Sequence, residues 1–312
     1  MAKQVVERDT DDRVVELRTG DRVPSICFGG GARIRNGHVF EEALTAGYRF
    51  FDTAVTYGND HLLFSSEVGR RLVAEHRDSV VVCSKASLWN PLPDAVHEAL
   101  GRMGLEHLDL LLLHHPVHPK DDDPLETLRR RWTAMEQLVD DGLVRMIGLS
   151  NTGSSLLRFV LDFCRMPPVV DQVEFHPYAQ DRTLLAACEA AGIRLQAYCP
   201  LGSPWRQAER GKEPPTVDPV VSEIARAKER PPSQVILRWL MDKRVIPVVS
   251  ATRADHMQQN LDVFDFELSF SEREAIDAID QRDRIWRDPV KLASLFGTVA
   301  DGVLAIPEQW PR

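Results

Sequence analysis

One stretch decides the fold of this chain: Phe51-Asp52-Thr53-Ala54-Val55-Thr56-Tyr57-Gly58-Asn59. It begins as an apolar, strand-like run and ends in a polar turn that holds one carboxylate, Asp52, and one phenol, Tyr57. An unpaired carboxylate at the end of a buried strand costs several kcal/mol or takes up a proton. The sequence therefore predicts a cationic partner for Asp52 elsewhere in the chain.

Two later strand-like runs end in side chains that could meet Asp52. One is the β-branched run Val80-Val81-Val82-Cys83-Ser84-Lys85, and the other is Leu108-Asp109-Leu110-Leu111-Leu112-Leu113-His114-His115-Pro116. The carboxyl ends of the strands in a parallel barrel lie at one rim, where the chemistry gathers. The three runs together predict an Asp, a Tyr, a Lys and a His at one rim of such a barrel.

The pattern along the rest of the chain predicts an α/β fold, a (β/α)8 or TIM barrel. Strand-like segments alternate with helical patterns, several of which begin at Ser, Asp or Pro and stop before Gly. We place the strands near residues 25–31, 49–55, 80–85, 108–115, 145–150, 169–174, 194–199 and 245–250, and the helices near 39–46, 66–75, 93–103, 124–141, 154–164, 182–191 and 232–242. An N-terminal β-hairpin at residues 14–23, with its turn at Gly20, is expected to plug the bottom of the barrel.

Length and composition bound the class of protein. A chain of 312 residues with 43% hydrophobic residues can bury a sizeable core, and α/β barrels of this size commonly form one domain, here residues 1–312. The formal net charge of -9 argues against sequence-independent nucleic-acid binding, which relies on clustered Lys and Arg. Small molecules are the expected partners.

Cysteine usage and the N-terminus indicate the compartment. The five cysteines are an odd number without a CxxC spacing, which is typical of a reduced protein. Residues 1–4 lack the apolar region of a signal peptide, and no apolar run reaches the ~18 residues that a membrane span needs. We therefore expect a cytoplasmic protein that does not act at a membrane.

The motifs at these strand ends resemble those of the aldo-keto reductase family. Residues 51–59, the pair Ser84-Lys85 and residues 109–116 match three family motifs. Further matching motifs follow in family order, at residues 147–151, 172–178 and 198–204. The resemblance implies an NAD(P)H-dependent enzyme that reduces an aldehyde or ketone to an alcohol, and that acts as an alcohol dehydrogenase in reverse.

The resemblance also assigns the catalytic residues. Tyr57 is expected to donate the proton, since an unperturbed phenol has a pKa of ~10 and is protonated at neutral pH. A charged Lys85 would ease formation of the phenolate, Asp52 would hold Lys85, and His114 would hydrogen-bond the carbonyl oxygen. Alternation along a strand lets only one of the two histidines face the rim, and the motif register selects His114 over His115.

The family pattern assigns the cofactor contacts by position. Ser150, Asn151 and Gln172 are expected to bind the nicotinamide carboxamide, and Tyr198 is expected to stack on the nicotinamide ring. The remaining matches are Leu201 and Ser203 for the pyrophosphate path, and Gln259 and Asn260 for the adenine.

The adenosine end departs from the family pattern. The positions where the family has a Lys-Ser pair and an Arg that grip the 2'-phosphate of NADPH hold Ser250, Ala251 and His256 here. Arg253 lies close by in sequence and could replace the missing cations, because a guanidinium binds phosphate in bidentate geometry. NADP(H) is therefore only narrowly preferred, and NAD(H) is a real competitor.

Two segments are expected to cover the rim. The loop at residues 202–219 is rich in proline and charge, and family resemblance implies a lid over the cofactor pyrophosphate, with Arg206 and Lys212 as available cations. The tail after Asp280 resembles the C-terminal segment that lies over the barrel mouth and walls the substrate site in the family.

The expected substrate contacts are Trp89 and His115. Gly31 and His115 stand where the family often has aromatic residues. Changes in rim loops alter specificity without changing the chemistry. We therefore predict a wider and more polar pocket than that of simple aldehyde reductases, suited to a bulky ketone or a polyol-type substrate.

Two other classes of function are weighed against the enzyme. Some proteins that resemble the family bind nicotinamide and act mainly on a partner, so a redox-sensing regulatory subunit with little turnover is the alternative. A metal-dependent or hydrolytic barrel is poorly supported, because His114 and His115 are adjacent and neighbouring strand residues point to opposite faces. The complete set of Asp52, Tyr57, Lys85 and His114 favours the enzyme.

Overall fold

The computed structural model of the chain describes residues 12–31, 34–86, 92–117 and 121–284. Within these ranges the chain forms ten β-strands and eleven α-helices. No helix in this part of the chain is long and apolar enough to cross a membrane. The predictions for Trp89 and for most of the C-terminal segment lie outside the described residues.

The strands and helices alternate along the chain after an initial hairpin. The strands are β1 (Val14–Glu16), β2 (Arg22–Pro24), β3 (Cys27–Gly29), β4 (Phe50–Asp52), β5 (Val81–Ala86), β6 (Leu108–Leu113), β7 (Val144–Ser150), β8 (Val170–Glu174), β9 (Arg194–Tyr198) and β10 (Ile246–Val249). The helices are α1 (His38–Ala46), α2 (Glu67–His76), α3 (Leu92–Met103), α4 (Pro124–Asp140), α5 (Ser154–Phe163), α6 (Arg182–Ala190), α7 (Pro204–Glu209), α8 (Pro219–Lys228), α9 (Pro232–Asp242), α10 (Ala254–Leu261) and α11 (Phe270–Ala278).

Eight parallel strands close a barrel in the order β10-β3-β4-β5-β6-β7-β8-β9. Except for β10 and β3, which close the ring, neighbouring strands are consecutive along the chain with helices between them, which confirms the predicted (β/α)8 fold. In the strand register Asp52 lies opposite Cys83, and Gln172 lies between Ser150 and Gln196. The parallel arrangement brings the carboxyl ends of all eight strands to one rim.

The barrel strands are buried on both faces, as parallel strands covered by helices usually are. Phe51 faces outward and packs with the helices in the main hydrophobic core, whereas Phe50 and Cys83 belong to a second cluster inside the barrel. Successive side chains on a strand point to opposite faces. Asp52 follows Phe50 by two residues, and Lys85 follows Cys83 by two, so both polar side chains also face the interior.

The N-terminal hairpin closes the end of the barrel opposite the rim. Its strands β1 and β2 pair in antiparallel fashion, and Gly20 in the turn has a φ of 85°. Leu17 and Val23 are buried among residues from the first positions of barrel strands, such as Phe50 and Ile246. The prediction that this hairpin plugs the bottom of the barrel is confirmed.

Helix ends follow the signals in the sequence. The carboxylates of Asp123 and Asp181 accept hydrogen bonds from the first-turn backbone N–H groups of α4 and α6. Gly142 and Gly192, just beyond the same two helices, have φ values of 75° and 69°. For this reason the predicted bounds of both helices agree with the structure to within a residue.

Asp171 is a buried carboxyl group on the outward face of β8. It is 0% exposed, and neither of its oxygens makes a hydrogen bond of ordinary geometry with the described residues. Burial, followed by the nearby Asp181 carboxylate, raises the pKa of Asp171 well above its usual range, and the backbone N–H of Thr152 opposes this only in part. At pH values between the ordinary and the raised pKa, the folded protein therefore holds a proton at Asp171 that the unfolded chain releases.

This proton makes stability depend on pH. Because the folded state binds more protons than the unfolded state, the free energy of unfolding falls as pH rises from about 4 through the raised pKa of Asp171. We expect Asp171→Asn to raise Tm by a few degrees near pH 8 and by clearly less near pH 5, measured by circular dichroism. A gain in Tm that is equal at both pH values, or larger in acid, would contradict this assignment.

Candidate active site

The ion pair between Asp52 and Lys85 lies at the centre of the rim. Lys85 Nζ donates to Asp52 Oδ2 at 2.5 Å, to the Thr53 carbonyl oxygen at 3.0 Å and to Tyr57 Oη at 3.4 Å. Lys85 is 1% exposed and Asp52 is 3% exposed. The ends of β4 and β5 and the turn after β4 therefore bring together an acid, an amine and a phenol, as the sequence predicted.

Burial and charge set the protonation of this group. Burial alone would lower the pKa of Lys85, but the Asp52 carboxylate and the other neighbouring groups outweigh it and raise the pKa. Burial raises the pKa of the Tyr57 phenol, and the Lys85 charge opposes that rise. Lys85 is therefore a cation at neutral pH, and Tyr57 is a protonated phenol that has one proton to donate.

The turn that carries Tyr57 is fixed by its neighbours in sequence. A short 3-10 helix spans Val55–Tyr57 and ends at Gly58, whose φ is 66°. Asn59 is buried, and its Nδ2 donates to three carbonyl oxygens of the loop after β3, those of Gly30, Gly31 and Ile34, at 2.9, 3.1 and 3.0 Å. This contact ties the Tyr57 turn to the adjacent loop and holds the phenol at the rim.

The two histidines after β6 lie side by side. Their rings stack with centroids 4.6 Å apart and planes 9° apart, and the His114 ring meets the Tyr57 ring edge to face at 5.8 Å. The expectation that His114 and His115 point to opposite faces is wrong, because β6 ends at Leu113 and the pleat does not extend to either histidine. Strand alternation therefore does not decide which of the two histidines faces the rim.

A further rim residue, Thr56, was not singled out from the sequence. Its Oγ1 lies 3.3 Å from His114 Nδ1. The contact depends on the short helix that turns Thr56 toward the neighbouring strand end, and no sequence motif gives that geometry. Thr56 can therefore influence which nitrogen of the His114 ring carries the proton.

Four residues predicted to bind the nicotinamide, Ser150, Asn151, Gln172 and Tyr198, form one hydrogen-bonded group next to His114. Ser150 Oγ donates to the Gln172 carbonyl oxygen at 2.8 Å, and Asn151 Nδ2 donates to the His114 carbonyl oxygen at 2.9 Å. Tyr198 Oη donates to Asn151 Oδ1 at 2.8 Å. Asn151 has a φ of 57°, a conformation that is uncommon outside glycine and is often found at functional sites.

The Gln172 side chain hydrogen-bonds with Asp52 of the predicted catalytic group. Its Nε2 lies 2.8 Å from Asp52 Oδ1 and 3.1 Å from Gln196 Oε1. Gln196 was missed in the sequence analysis, although it precedes Tyr198 by two residues on β9 and must share its inward face. The alternation rule, applied to β9, was the signal that could have found it.

The turn after β9 combines close packing with unusual backbone conformations. Cys199, Gly202 and Ser203 have φ values of 52°, 71° and 46°. A side chain at Gly202 would collide with the ring of Pro215, which belongs to the predicted lid. Leu201 and Ser203, predicted for the pyrophosphate path, lie on this turn, and strained backbone of this kind clusters at ligand clamps.

The predicted lid, residues 202–219, has secondary structure of its own. Helix α7 begins at Pro204, a residue whose fixed φ suits the first helical position, and a 3-10 turn covers Pro215–Val217. The prediction of a loop is therefore wrong for these two stretches. The following helix, α8, begins at Pro219, and the Tyr178 hydroxyl donates to the capping Asp218 at 2.8 Å.

The cations of this lid already have partners. Arg210 and Lys212 both bind the Asp283 carboxylate, at 2.5 and 2.7 Å, and together they help to lower the pKa of Asp283, which burial alone would raise. Arg206 pairs with Glu209 at 3.1 Å. The prediction that Arg206 and Lys212 are available cations is therefore wrong for this state of the protein.

Ser250 and Arg253, two residues expected near the 2'-phosphate, already form hydrogen bonds with other groups of the protein. Ser250 Oγ donates to the Gly29 carbonyl oxygen at 2.5 Å. The exposed Arg253 guanidinium forms two hydrogen bonds with Asp255, at 2.9 and 2.7 Å, and this contact lowers the pKa of Asp255 to about 2. A phosphate at Arg253 would have to share that guanidinium with a carboxylate.

The adenine residues lie on the adjoining helix α10. His256 is exposed, whereas Asn260 is 5% exposed. The carbonyl oxygen of Gln259 accepts a hydrogen bond from Gln234 at 2.6 Å. The predicted cofactor residues thus lie along one path, on the neighbouring strands β7, β8 and β9 and then after β10 on α10.

The donors and acceptors on this path fit a nicotinamide cofactor. A carboxamide presents two N–H donors and one carbonyl acceptor, and it needs complementary groups on the protein. Asn151 Nδ2 and Ser150 Oγ are polar groups at the rim, and Gln172 Oε1 accepts no hydrogen bond from any described residue. Tyr198 is half-buried, which leaves part of its ring for a planar partner.

Comparisons with known proteins agree with this fold. The sequence profile of the aldo/keto reductase family matches residues 37–281. Aldo-keto reductase family 1 member A1 from Mus musculus is 34% identical over 313 residues, which cover 91% of this chain and 93% of the mouse protein. The zebrafish (Danio rerio) protein named family 1 member A1-A is also 34% identical, over 88% of this chain and 95% of its own length.

Solved structures share the architecture over most of the chain. The crystal structure of a Bombyx mori aldo-keto reductase in complex with NADP has a TM-score of 0.80 and 28% identity, and covers 90% of this chain and 96% of the Bombyx chain. The aldose reductase from Schistosoma japonicum has a TM-score of 0.75 and 28% identity, over 87% and 93% of the two chains. This chain therefore belongs to the aldo/keto reductase family of oxidoreductases.

Proposed function

We propose that this protein reduces an aldehyde or ketone to an alcohol with NADPH, and that Tyr57 gives the proton. The observation that carries the proposal is the buried contact of Lys85 Nζ with both Asp52 Oδ2, at 2.5 Å, and Tyr57 Oη, at 3.4 Å. A phenol beside a permanent cation can donate a proton and then persist briefly as a phenolate. When bound, the reduced nicotinamide supplies the hydride.

Three side chains control the transfer of a proton to the carbonyl oxygen. Tyr57 Oη hydrogen-bonds the carbonyl oxygen and transfers its proton as negative charge develops there. Lys85 stabilises the phenolate that remains, which lowers the energy of the transition state. Asp52 holds Lys85 at the Tyr57 hydroxyl and keeps it charged, as the direction of the Lys85 pKa shift supports.

His114 orients the carbonyl group. Thr56 Oγ1 lies 3.3 Å from His114 Nδ1, and a hydroxyl that donates to Nδ1 places the ring proton on Nε2. A ring with its proton on Nε2 can donate from there to the carbonyl oxygen. This role uses the edge-to-face contact of the His114 and Tyr57 rings, 5.8 Å apart.

The cofactor would lie along the remaining residues of the rim. Ser150, Asn151 and Gln172 would hold the carboxamide, and Tyr198 would stack on the ring. The pyrophosphate would pass Leu201 and Ser203, on the turn where Ser203 has a φ of 46°. The adenosine would meet the last group, which comprises Ser250, Arg253, His256, Gln259 and Asn260.

A bulky or polyol-type carbonyl compound is the substrate class we favour. A Cβ built at Gly31 has no atom of the described structure within 4 Å, so the described residues leave space for a substrate on this side of the mouth. The stacked His114 and His115 rings give the mouth polar groups. A pocket with these properties accepts more volume and more hydroxyl groups than one lined by large aromatics.

Turnover is the first test of this proposal. We expect the purified protein to oxidise NADPH in the presence of a broadly accepted aromatic aldehyde, with one alcohol formed for each NADPH consumed, followed by absorbance and chromatography. NADH is assayed in parallel. Tight binding of NADPH without reduction of any carbonyl in a broad panel would favour a nicotinamide-binding regulatory subunit instead.

Cofactor preference gives a second test. Asp255 binds the guanidinium of Arg253 and adds a negative charge where a 2'-phosphate would approach. We therefore expect Asp255→Asn to lower KM for NADPH roughly two- to fivefold, with KM for NADH unchanged, an effect that shrinks as salt is added. Steady-state kinetics with both cofactors measure the ratio.

The matched control for this substitution is Asp140→Asn. Asp140 also pairs with an exposed arginine, Arg165, at 2.6 Å, but it lies at the end of α4, away from the rim. The control is expected to leave both KM values unchanged. An Asp255→Asn variant that changes NADPH and NADH kinetics alike would show that Arg253 does not contact the 2'-phosphate.

A further inference from the structure

Two buried glutamines continue the catalytic hydrogen bonds into the barrel. Gln172 Nε2 donates to Asp52 Oδ1 at 2.8 Å and to Gln196 Oε1 at 3.1 Å. Gln172 and Gln196 lie directly opposite each other on β8 and β9, and they are 1% and 0% exposed. The other Asp52 oxygen binds Lys85, so both oxygens of this carboxylate are held.

The donor and acceptor properties of these groups fix the direction of each hydrogen bond between Asp52, Gln172 and Gln196. An ionised carboxylate only accepts hydrogen bonds, so the Gln172 atom next to Asp52 must be the amide nitrogen. That nitrogen only donates, so the Gln196 atom that meets it must be the amide oxygen. Both N–H groups of Gln172 are thus used, and Oε1 is the one atom of its amide left to meet a ligand, as an acceptor.

A single hydrogen bond would not hold that acceptor in place. The terminal torsion of a glutamine side chain is broad, and one bond to Asp52 leaves the amide plane free to turn about it. A second bond, to Gln196, fixes the plane and therefore the direction of Gln172 Oε1. Gln196 Nε2 itself is buried without a hydrogen-bond partner among the described residues, a cost that the arrangement tolerates.

We propose that Gln196 is a positioning residue for the nicotinamide subsite: it fixes the Gln172 amide so that Oε1 accepts a hydrogen bond from the carboxamide N–H of the cofactor. This inference rests on the proposed function, because it needs a nicotinamide at the rim. It also links the cofactor subsite to the catalytic group, since the same Gln172 nitrogen holds Asp52. Gln196 acts through Gln172 and needs no contact with the substrate.

The test compares the binding of NADP⁺ with that of its acetylpyridine analogue, in which a methyl ketone replaces the carboxamide. The analogue keeps the carbonyl group but has no N–H for Gln172 Oε1. We expect the wild-type protein to bind NADP⁺ roughly five- to tenfold more tightly than the analogue, the value of one ordinary hydrogen bond. Quenching of intrinsic fluorescence measures both dissociation constants without turnover.

Gln196→Met keeps the length of the side chain and removes the acceptor. We expect this variant to bind NADP⁺ and the analogue with nearly equal affinity, because NADP⁺ binding weakens while analogue binding changes by less than about twofold. Gln137→Met, on the exposed face of α4, is the matched control and should keep the wild-type ratio. Gln196→Leu is a second variant in case the first does not fold.

Equal weakening of both ligands in the Gln196 variants would indicate a merely structural role and overturn the proposal. An unchanged ratio in these variants would overturn it as well, and so would a wild-type protein that does not distinguish the two ligands. The result that would refute the proposed function is a different one. A wild-type protein that prefers NADP⁺ in binding, but reduces no carbonyl compound, would refute the enzyme and leave the positioning role of Gln196 intact.

Discussion

Replacing Tyr57 with phenylalanine is expected to lower kcat for carbonyl reduction by roughly 10²–10⁴-fold, the usual contribution of a positioned general acid. The change removes one oxygen and keeps the ring that meets His114 edge to face. Lys85 stays bound to Asp52 and to the Thr53 carbonyl, so the fold of the rim is retained. Binding of NADPH should therefore persist, and fluorescence titration measures it separately from turnover.

Tyr48→Phe is the matched control for this prediction. Tyr48 is buried between the barrel and α10, and its hydroxyl reaches the Met257 carbonyl only at 3.5 Å. Tyr48 precedes β4, at the end of that strand opposite Asp52, so loss of its hydroxyl should leave kcat nearly unchanged. If Tyr57→Phe kept wild-type kcat, another group would be the proton donor, and the assignment of the acid would be wrong.

Replacing Lys85 with methionine is expected to damage stability as well as catalysis. The substitution leaves the buried Asp52 carboxylate without its cation, and removing one partner of a buried ion pair typically costs about 3–5 kcal/mol. For a protein of this size each kcal/mol lowers Tm by roughly 2–4 °C or less. Thermal unfolding of the wild type and the variant at neutral pH measures the loss, and kcat should fall along with it.

The double variant Asp52→Asn/Lys85→Met separates charge from packing. It removes the unpaired carboxylate, so it should be clearly more stable than Lys85→Met alone, although its activity stays lost. Gln172 would then face an amide in place of a carboxylate. A double variant no more stable than the single one would mean that the lost side-chain packing, rather than the buried charge, sets the cost.

The barrel and the core of its rim could be predicted because they depend on local patterns. Eight strand-like runs separated by helical periods admit few topologies, and parallel connections place their carboxyl ends together. Asp52 and Lys85 each sit at the end of such a run, and Tyr57 follows one of them by five residues. The contacts among these three side chains follow from the fold without further information.

The contacts that could not be predicted from the sequence join side chains on different strands, helices and loops. His114 and His115 stack because β6 ends one residue before them, and strand ends are the least certain part of any sequence pattern. Asp283 lies 73 residues from Arg210, so no spacing rule relates them. Gln196 lies opposite Gln172 because of the register of β8 and β9, which is set only when the barrel forms.

A crystal structure with NADP⁺ and a bound carbonyl inhibitor would test the central claim most directly. The account predicts the nicotinamide ring beside Tyr198, and the inhibitor's carbonyl oxygen within about 3 Å of both Tyr57 Oη and His114 Nε2. It also predicts that Lys85 stays on Asp52 and reaches the Tyr57 hydroxyl. A carbonyl oxygen held by other side chains, or a nicotinamide bound away from this rim, would contradict it.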